Sequence, residues 1–370
     1  MTYCHKIPEA DLVAALERAG GNCSAAAREL GVDKAGLIRR VQRLRKLGIV
    51  PDMAGPTFTP KAFSTLKDGD GNVKLVWEKT ERDNSESALK AVRDGFIDQI
   101  PRAVAMTAPD RAANDLLNCY VITDYHLGML SWGEETGDDW DVTIAENLIL
   151  RWFTTAIRQA PKADKAVFAQ LGDFMHWDGM DAVTPASKHL LDADTRFQKL
   201  VRVCIRVMRA IIHQLLKKYP EVHIICAEGN HDPASSIWLR EWLSAFYDDE
   251  PRVSVDVSPD PYYCVEHGET SLFFHHGHKR KPTNIDAVFT AKFREVFGRT
   301  KHSYAHMGHM HHRHQLETNL MVVEQHRTLA ASDAYASRGG WISGRDAQVI
   351  TYHAEHGEVG RIVVNSRMCQ

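Results

Sequence analysis

Carboxylate, amide and imidazole residues recur in short clusters just after five apolar runs of this chain. Asp124-Tyr125-His126 follows the first run, Gly172-Asp173 the second and Gly229-Asn230-His231-Asp232 the third. His275-His276-Gly277-His278 closes the fourth and Gly308-His309-Met310-His311 the fifth. A lone Asp or His after a strand usually caps a turn or meets water. Five clusters in succession instead point to a metal site, and mixed nitrogen and oxygen donors suit Mn2+, Fe or Zn2+ better than Mg2+. Histidine is itself over-used, with 20 residues in the chain and ten of them between His267 and His314.

The elements that must position these clusters alternate. Apolar strands are expected at 117–123, 166–171, 222–227, 271–276 and 303–308, and long helical patterns at 142–159, 193–218 and 285–297. Alternation of this kind predicts an α/β domain with its active-site loops at strand ends. Further strands are expected at 321–324, 348–353 and 360–364. Upstream, residues 9–47 read as three short helices, with Asp33 as N-cap of the third and Leu37, Val41 and Leu44 on its inner face. A hairpin around a Gly-rich turn is expected at 63–77, a helix at 86–100 and a linker at 101–109. The domain reading is therefore 1–50, a connecting region 51–115, and a catalytic domain 116–370.

The order DxH, GD, GNHD, H, GHxH resembles the motif set of the calcineurin-like metallophosphoesterases over residues 116–315. The resemblance implies a four-layer α/β/β/α sandwich and a pair of divalent cations. Mapped residue by residue, it makes Asp173 the carboxylate shared by both metals. Asp124, His126 and His311 complete one, and Asn230, His276 and His309 the other. Two cations ~3.5–4 Å apart need such a shared anion, and the pair activates water for attack on phosphorus without a covalent intermediate. His231 is the candidate general acid, with Asp232 expected to orient its ring. His275 is expected on the opposite strand face, His312 and His314 at the surface, and His302 and His306 in packing.

Three features bear on the substrate. Gly172-Asp173-Phe174-Met175-His176 resembles the corresponding motif of SbcD-type DNA repair nucleases, which implies a phosphate contact for His176. His278, Lys279, Arg280 and Lys281 follow a predicted ligand and suit a polyanion. Residues 22–40 resemble the helix-turn-helix of Fis-type DNA-binding domains, which implies that Lys34, Arg39, Arg40 and Arg43 reach bases or backbone. Between Arg28 and Lys46 stand seven basic residues against Glu29 and Asp33, although the whole chain carries −3. The arrangement as a whole resembles phage and prophage metallophosphoesterases with an N-terminal helix-turn-helix. Only 59 residues follow His311, leaving little room for a DNA-capping domain or an ATPase-docking segment.

Composition narrows the class. At 44% hydrophobic and 25% charged the chain is not disordered or collagen-like. No run approaches 18 apolar residues, and the N-terminus lacks the pattern of a secretory signal, so no membrane association and a cytoplasmic setting in a bacterial or phage-infected cell are expected. Seven cysteines without CxxC spacing read as reduced core residues. The reading that follows is a Mn2+-dependent DNA nuclease, with DNA as partner, no ATPase partner site, and a homo-oligomer left open. Two alternatives stand: a phosphoesterase for cyclic nucleotides, other small phosphoesters or phosphoproteins, and a DNA-binding regulator with an inert fold.

Overall fold

The computed structural model describes residues 7–19, 23–46, 58–67, 73–82, 101–112 and 115–369. The chain divides into two units, Met1–Gln99 and Ile100–Gln370. In the first, helices α1 (Glu9–Arg18), α2 (Cys23–Glu29) and α3 (Lys34–Lys46) close around Leu12, Leu16, Ala26, Leu37, Val41 and Leu44. Asp33 caps α3, its Oδ2 accepting from Gly36 N at 2.8 Å. Strands β1 (Phe58–Lys67) and β2 (Val73–Arg82) pair antiparallel, longer than the expected hairpin. The turn at 68–72 and the helix expected at 86–100 lie outside the described residues.

The second unit is built on two sheets. Strands β3 (Leu116–Ile122), β4 (Lys165–Gln170), β5 (Glu221–Cys226) and β6 (Val253–Val255) run parallel, and β12 (Asp346–His353) and β13 (Gly357–Asn365) extend the sheet antiparallel beyond β3. The second sheet has the order β10 (His314–Glu317), β11 (Val322–Gln325), β9 (His302–Met307), β8 (Thr270–Phe274), β7 (Tyr263–His267). Strand alternation builds the layers. Leu117, Cys119 and Val121 of β3 meet Leu272 and Phe274 of β8 between the sheets. Tyr120 of the same strand faces the other way and stacks on Phe153 at 5.7 Å.

Helices fill the outer faces. Phe153 belongs to α4 (Val142–Gln159), which is capped by Asp141 accepting from Thr143 N and Ile144 N. Helix α5 (Phe197–Leu216) buries Leu200, Val203, Val207 and Ile211 at three- and four-residue spacing. Helix α6 (Pro233–Phe246) follows, with Pro233 in its first turn. On the far face, Ile285 and Phe289 of α7 (Ile285–Lys292) pack on Phe273, Ala305 and Val323. The helix expected at 285–297 breaks at Phe293, whose backbone (φ −112°, ψ 40°) leaves the helical region before α8 (Arg294–Arg299). The result is the expected α/β/β/α sandwich. Residues 101–112 are held along the second unit: Ala103 N donates to Phe246 O, and Met106 N to Glu250 Oε2 at 2.7 Å. Cys119, Cys204 and Cys226 are buried, and burial pushes their thiols up, so they are inert packing groups. No helix among the described residues is long and apolar enough to cross a membrane.

One end of the inter-sheet core is polar. Glu324 accepts from Arg361 Nη1 at 2.5 Å, and His326 Nε2 meets His306 Nδ1 at 2.9 Å. Burial opposes ionisation of Glu324, but His326 and Arg361 hold its carboxyl down to about 2. Burial holds the His326 ring down to about 4. Both groups bind a proton less readily folded than unfolded. Their stabilisation is thus present at neutral pH and lost on acidification, first between 6.5 and 4 (His326) and then between 4.5 and 2 (Glu324). Thermal unfolding across pH 7 to 4 should show a falling midpoint whose slope is shallower in His326→Gln. Glu324→Gln should lose about 1–3 kcal/mol at neutral pH, because Arg361 loses its charged partner at Nη1 while keeping its pair with Glu358.

Candidate metal centre

The parallel strands deliver the ligands at their carboxyl ends, the position where open α/β sheets bind ligands. Asp124 and His126 follow β3, Asp173 follows β4, and Asn230 follows β5. The second sheet supplies His276 after β8, and His309 and His311 after β9. These side chains gather into two groups whose donor atoms lie within 4.8 Å of one another: Asp124, His126 and His311, and Asp173, His276 and His309. Asn230 joins the second, its Oδ1 standing 3.1 Å from His276 Nε2. All seven residues read from the motifs therefore converge, with Asp173 in the second group.

Backbone geometry explains why the ligands sit on these loops. Seven non-glycine residues among those described have positive φ, and five of them are Asp124, His126, Asp173, His309 and His311. Left-handed backbone costs such residues on the order of 1–3 kcal/mol each, so the strain is concentrated where the chain turns sharply into the site. Two motif glycines are required by space. A Cβ on Gly229 would stand 1.9 Å from Asp173 Oδ1, and one on Gly308 would stand 1.8 Å from Thr123 Oγ1 and 2.5 Å from Asp124 Oδ2.

The donor atoms face one another with too few protons to share. His276 Nδ1 lies 2.8 Å from the Leu171 carbonyl, to which it donates, leaving Nε2 aimed at Asp173 Oδ2 (3.1 Å) and Asn230 Oδ1. His126 Nε2 faces His311 Nε2 at 3.3 Å. Asp124 Oδ1 is fully buried without a hydrogen-bond donor, although His311 Nε2 stands 3.1 Å away. Its other oxygen, Oδ2, accepts from Thr123 Oγ1 and His309 N. Burial pulls the His276 ring down, but Asp173 and Asp124 outweigh it and lift it to about 9. Burial likewise works against Asp173, yet His276 holds the carboxyl well below its ordinary range. Protons on these imidazoles thus stand where a dication would, and an orphaned carboxylate oxygen ringed by imidazoles fits a divalent pair with mixed nitrogen and oxygen ligands.

The surrounding residues depart from the sequence reading in two places. Asp232 does not orient the ring of His231. Its carboxylate instead accepts from the amides of Asp173 (3.1 Å), Gly229 (3.2 Å) and Met175 (3.0 Å), which clamps the strained Asp173 loop. The His231 ring is fixed by Nδ1, 2.8 Å from the His176 carbonyl, while its own amide donates to Asp173 Oδ1 at 2.8 Å. His176 is only 1% exposed, too little for the substrate contact expected of it. Its Nδ1 lies 3.2 Å from His126 Nδ1 and its ring stacks on His231, while burial, then His231, drives its pKa down to about 3. It is buried against both His126 and His231, and the three rings form a further group whose nitrogens lie within 4.8 Å of one another. Nothing in the residue types alone separates these roles; the difference comes from which backbone amides fold over Asp232.

Other predicted residues fall around this centre. His278 stands beside the second group, 5.3 Å from the His276 ring, with Nδ1 buried and unpartnered. Lys279, Arg280 and Lys281 follow it, all exposed. His275 is buried, stacked on Tyr262 at 4.6 Å and outside both ligand groups. His312 and His314 are exposed, and His306 is buried in the polar network. Sequence reasoning missed Thr328, whose Oγ1 donates to the Asp124 carbonyl at 2.6 Å, since no motif marks it. It also missed Asp178, which binds Ala234 N and Ser235 N at the start of α6. In the first unit Lys34 is exposed, whereas the side chains of Arg39 and Arg43 lie outside the described part.

Gly229→Ala should lose most bound metal, measured by elemental analysis of the purified protein after Mn2+ loading. Gly298→Ala, where an added Cβ meets nothing within 4 Å, should keep it.

Comparison with known proteins gives matches for each part. Residues 12–44 match the family of bacterial regulatory proteins of the Fis type. No curated protein matches the chain. Among solved structures, an archaeal phosphodiesterase is 13% identical, covers 67% of this chain and 99% of its own, and has a TM-score of 0.33. A predicted phosphoesterase from Streptococcus pneumoniae is 13% identical over 67% of this chain and 98% of its own, with a TM-score of 0.28. Wild-type Vps29 complexed with zinc, from Entamoeba histolytica, is 11% identical over 68% of this chain and 99% of its own, with a TM-score of 0.27. The N-terminal unit thus carries a helix-turn-helix that matches the Fis type over residues 12–44.

Proposed function

We propose that this protein is a metal-dependent phosphodiesterase that cleaves DNA and is brought to it by its own helix-turn-helix. The observation that carries the reading is the convergence of Asp124, His126 and His311 with Asp173, His276 and His309 from strand ends of both sheets. When bound, a divalent pair, with Mn2+ the best fit to these ligands, supplies Lewis acidity and a nucleophile at neutral pH.

The chain's own residues do the rest. Asp173 would be shared by the two metals and offset their mutual repulsion. The Asn230 amide and the imidazoles hold the centre without adding anionic charge that would repel a phosphodiester. His231, tethered through Nδ1 to the His176 carbonyl, would as the imidazolium give its Nε2 proton to the leaving alkoxide and remain the neutral ring. Lys279, Arg280 and Lys281 stand exposed beyond His278 and steer a polyanion toward the cleft. The Fis-type match over 12–44 supports DNA over a small phosphoester as the substrate, with the exposed Lys34 and the basic third helix facing backbone phosphates.

Full-length protein loaded with Mn2+ should cleave DNA, assayed on gels with circular and end-labelled linear substrates beside cyclic mononucleotides. Turnover confined to cyclic nucleotides would overturn the nuclease reading. Asp173→Ala and His309→Ala should abolish hydrolysis and metal loading together. His231→Ala should keep its metals and lose roughly 10²–10⁴-fold in kcat. Replacing Lys34, Arg39, Arg40 and Arg43 by alanine should weaken duplex binding and flatten its salt dependence by about 0.9 for each phosphate no longer neutralised, while hydrolysis of bis-p-nitrophenyl phosphate is retained.

A further inference from the structure

A cavity of about 710 Å3 opens beside the outer strand of the six-stranded sheet, lined by Arg151, Arg327, Arg345 and Arg367. Its place follows from strand direction. Strand β12 runs antiparallel to β3, so its first residue, Asp346, lies at the end where β3 delivers Asp124, and Asn365 of β13 pairs with it. Asp346 and Asn365 both line the cavity. Two inter-strand steps, on the order of 10 Å, therefore separate it from the Asp124 strand. The walls are shared as well. Arg345 lies over the Trp140 ring at 5.3 Å, Trp140 Nε1 reaches the His126 carbonyl at 3.4 Å, and Arg327 adjoins the Thr328 that holds Asp124.

The charges do not cancel. Asp346 pairs with Arg327 at 2.7 Å and Asp138 with Arg345 at 2.9 Å, while Asp139 accepts from Gly133 N. No carboxylate pairs with Arg151 or Arg367 among the described residues. Three buried polar atoms without a hydrogen-bond partner line this cavity: Arg327 Nε, Ser343 Oγ and Asp346 Oδ1. Buried donors are rarely left empty in a native protein, so two stranded donors among four guanidinium groups mark a place for an acceptor-rich anion. Just before Ser343, Trp341 is 59% exposed yet fixed. Its ring lies over Gly339, where a Cβ would stand 2.8 Å from it, and 5.1 Å from the Tyr335 ring.

We propose that this cavity is a phosphate subsite for single-stranded DNA, taking a backbone phosphate a few nucleotides from the scissile bond while Trp341 stacks on a neighbouring base. The subsite rests on the nuclease reading for its purpose but not for its test. Guanidinium forks match phosphate oxygens two at a time, and an exposed indole accepts any base. A strand bound both here and at the metal centre would be held in register across the sheet end.

The test is fluorescence anisotropy of fluorescein-labelled dT8 with the full-length protein in EDTA, which silences the metal centre and makes the result independent of hydrolysis. Arg151→Ala/Arg367→Ala should weaken binding about 10-fold and reduce the slope of log K against log[salt] by about 0.7, the share of one phosphate. Arg151→Lys/Arg367→Lys should keep the slope with part of the affinity, and Trp341→Ala should lose about 5-fold or more. Affinity and slope unchanged in the double alanine variant would overturn the proposal. So would competition by dTMP as strong as by unlabelled dT8, which would make the cavity a mononucleotide site.

Discussion

Two buried carboxylates, Asp124 and Asp173, are the constraint around which the second unit is arranged. Both sit at the carboxyl ends of adjacent parallel strands, and each is surrounded by imidazole nitrogens rather than by lysine or arginine. An anion buried this way is costly unless a cation stands beside it. Among the described residues, the neighbours able to become positive are the same ones that have lone pairs to offer a metal. The crowding of imidazole and carboxylate donors, the orphaned Asp124 Oδ1 and the left-handed backbone at five of these residues all fit a place for positive charge.

That shape is supported from beneath by buried groups. Asp232 gathers three amides of the Asp173 and Gly229 loops, Thr328 holds the Asp124 carbonyl, and His176 ties His126 to His231. Gly229 and Gly308 allow backbone to lie against the two carboxylates. The layers behind them, Tyr120 on Phe153 outside and Cys119 against Phe274 inside, are ordinary packing. Such packing fixes strand ends to within the few tenths of an ångström that ligand geometry demands.

How much of this is legible in the sequence divides by physical cause. The candidate ligands are readable because metal chemistry restricts residue type, and because the strand ends of the two packed sheets meet at one place, so Asp124 and His309, 185 residues apart, can be assigned together. The three N-terminal helices are readable from Asp33 and the spacing of Leu37, Val41 and Leu44. Helix α6 is not, because its wall-to-wall mixture of Ser, Trp, Arg and Leu has weak periodicity, and its start is set by Asp178 from a distant loop. The roles of His176 and Asp232 escape sequence reasoning for a related reason: burial and amide contacts are tertiary, and residue type carries no sign of them. The arginine-lined cavity is invisible for the same cause, since Arg151, Arg327, Arg345 and Arg367 meet only through the antiparallel return of β12 and β13.

Whether Asp173 joins two cations can be read directly. Crystals grown with Mn2+ should show two anomalous difference peaks about 3.5–4 Å apart on either side of the Asp173 carboxylate, one beside Asp124, His126 and His311 and the other beside Asn230, His276 and His309. A single peak, or none in a fully loaded crystal, would contradict the account of this site as a two-metal centre.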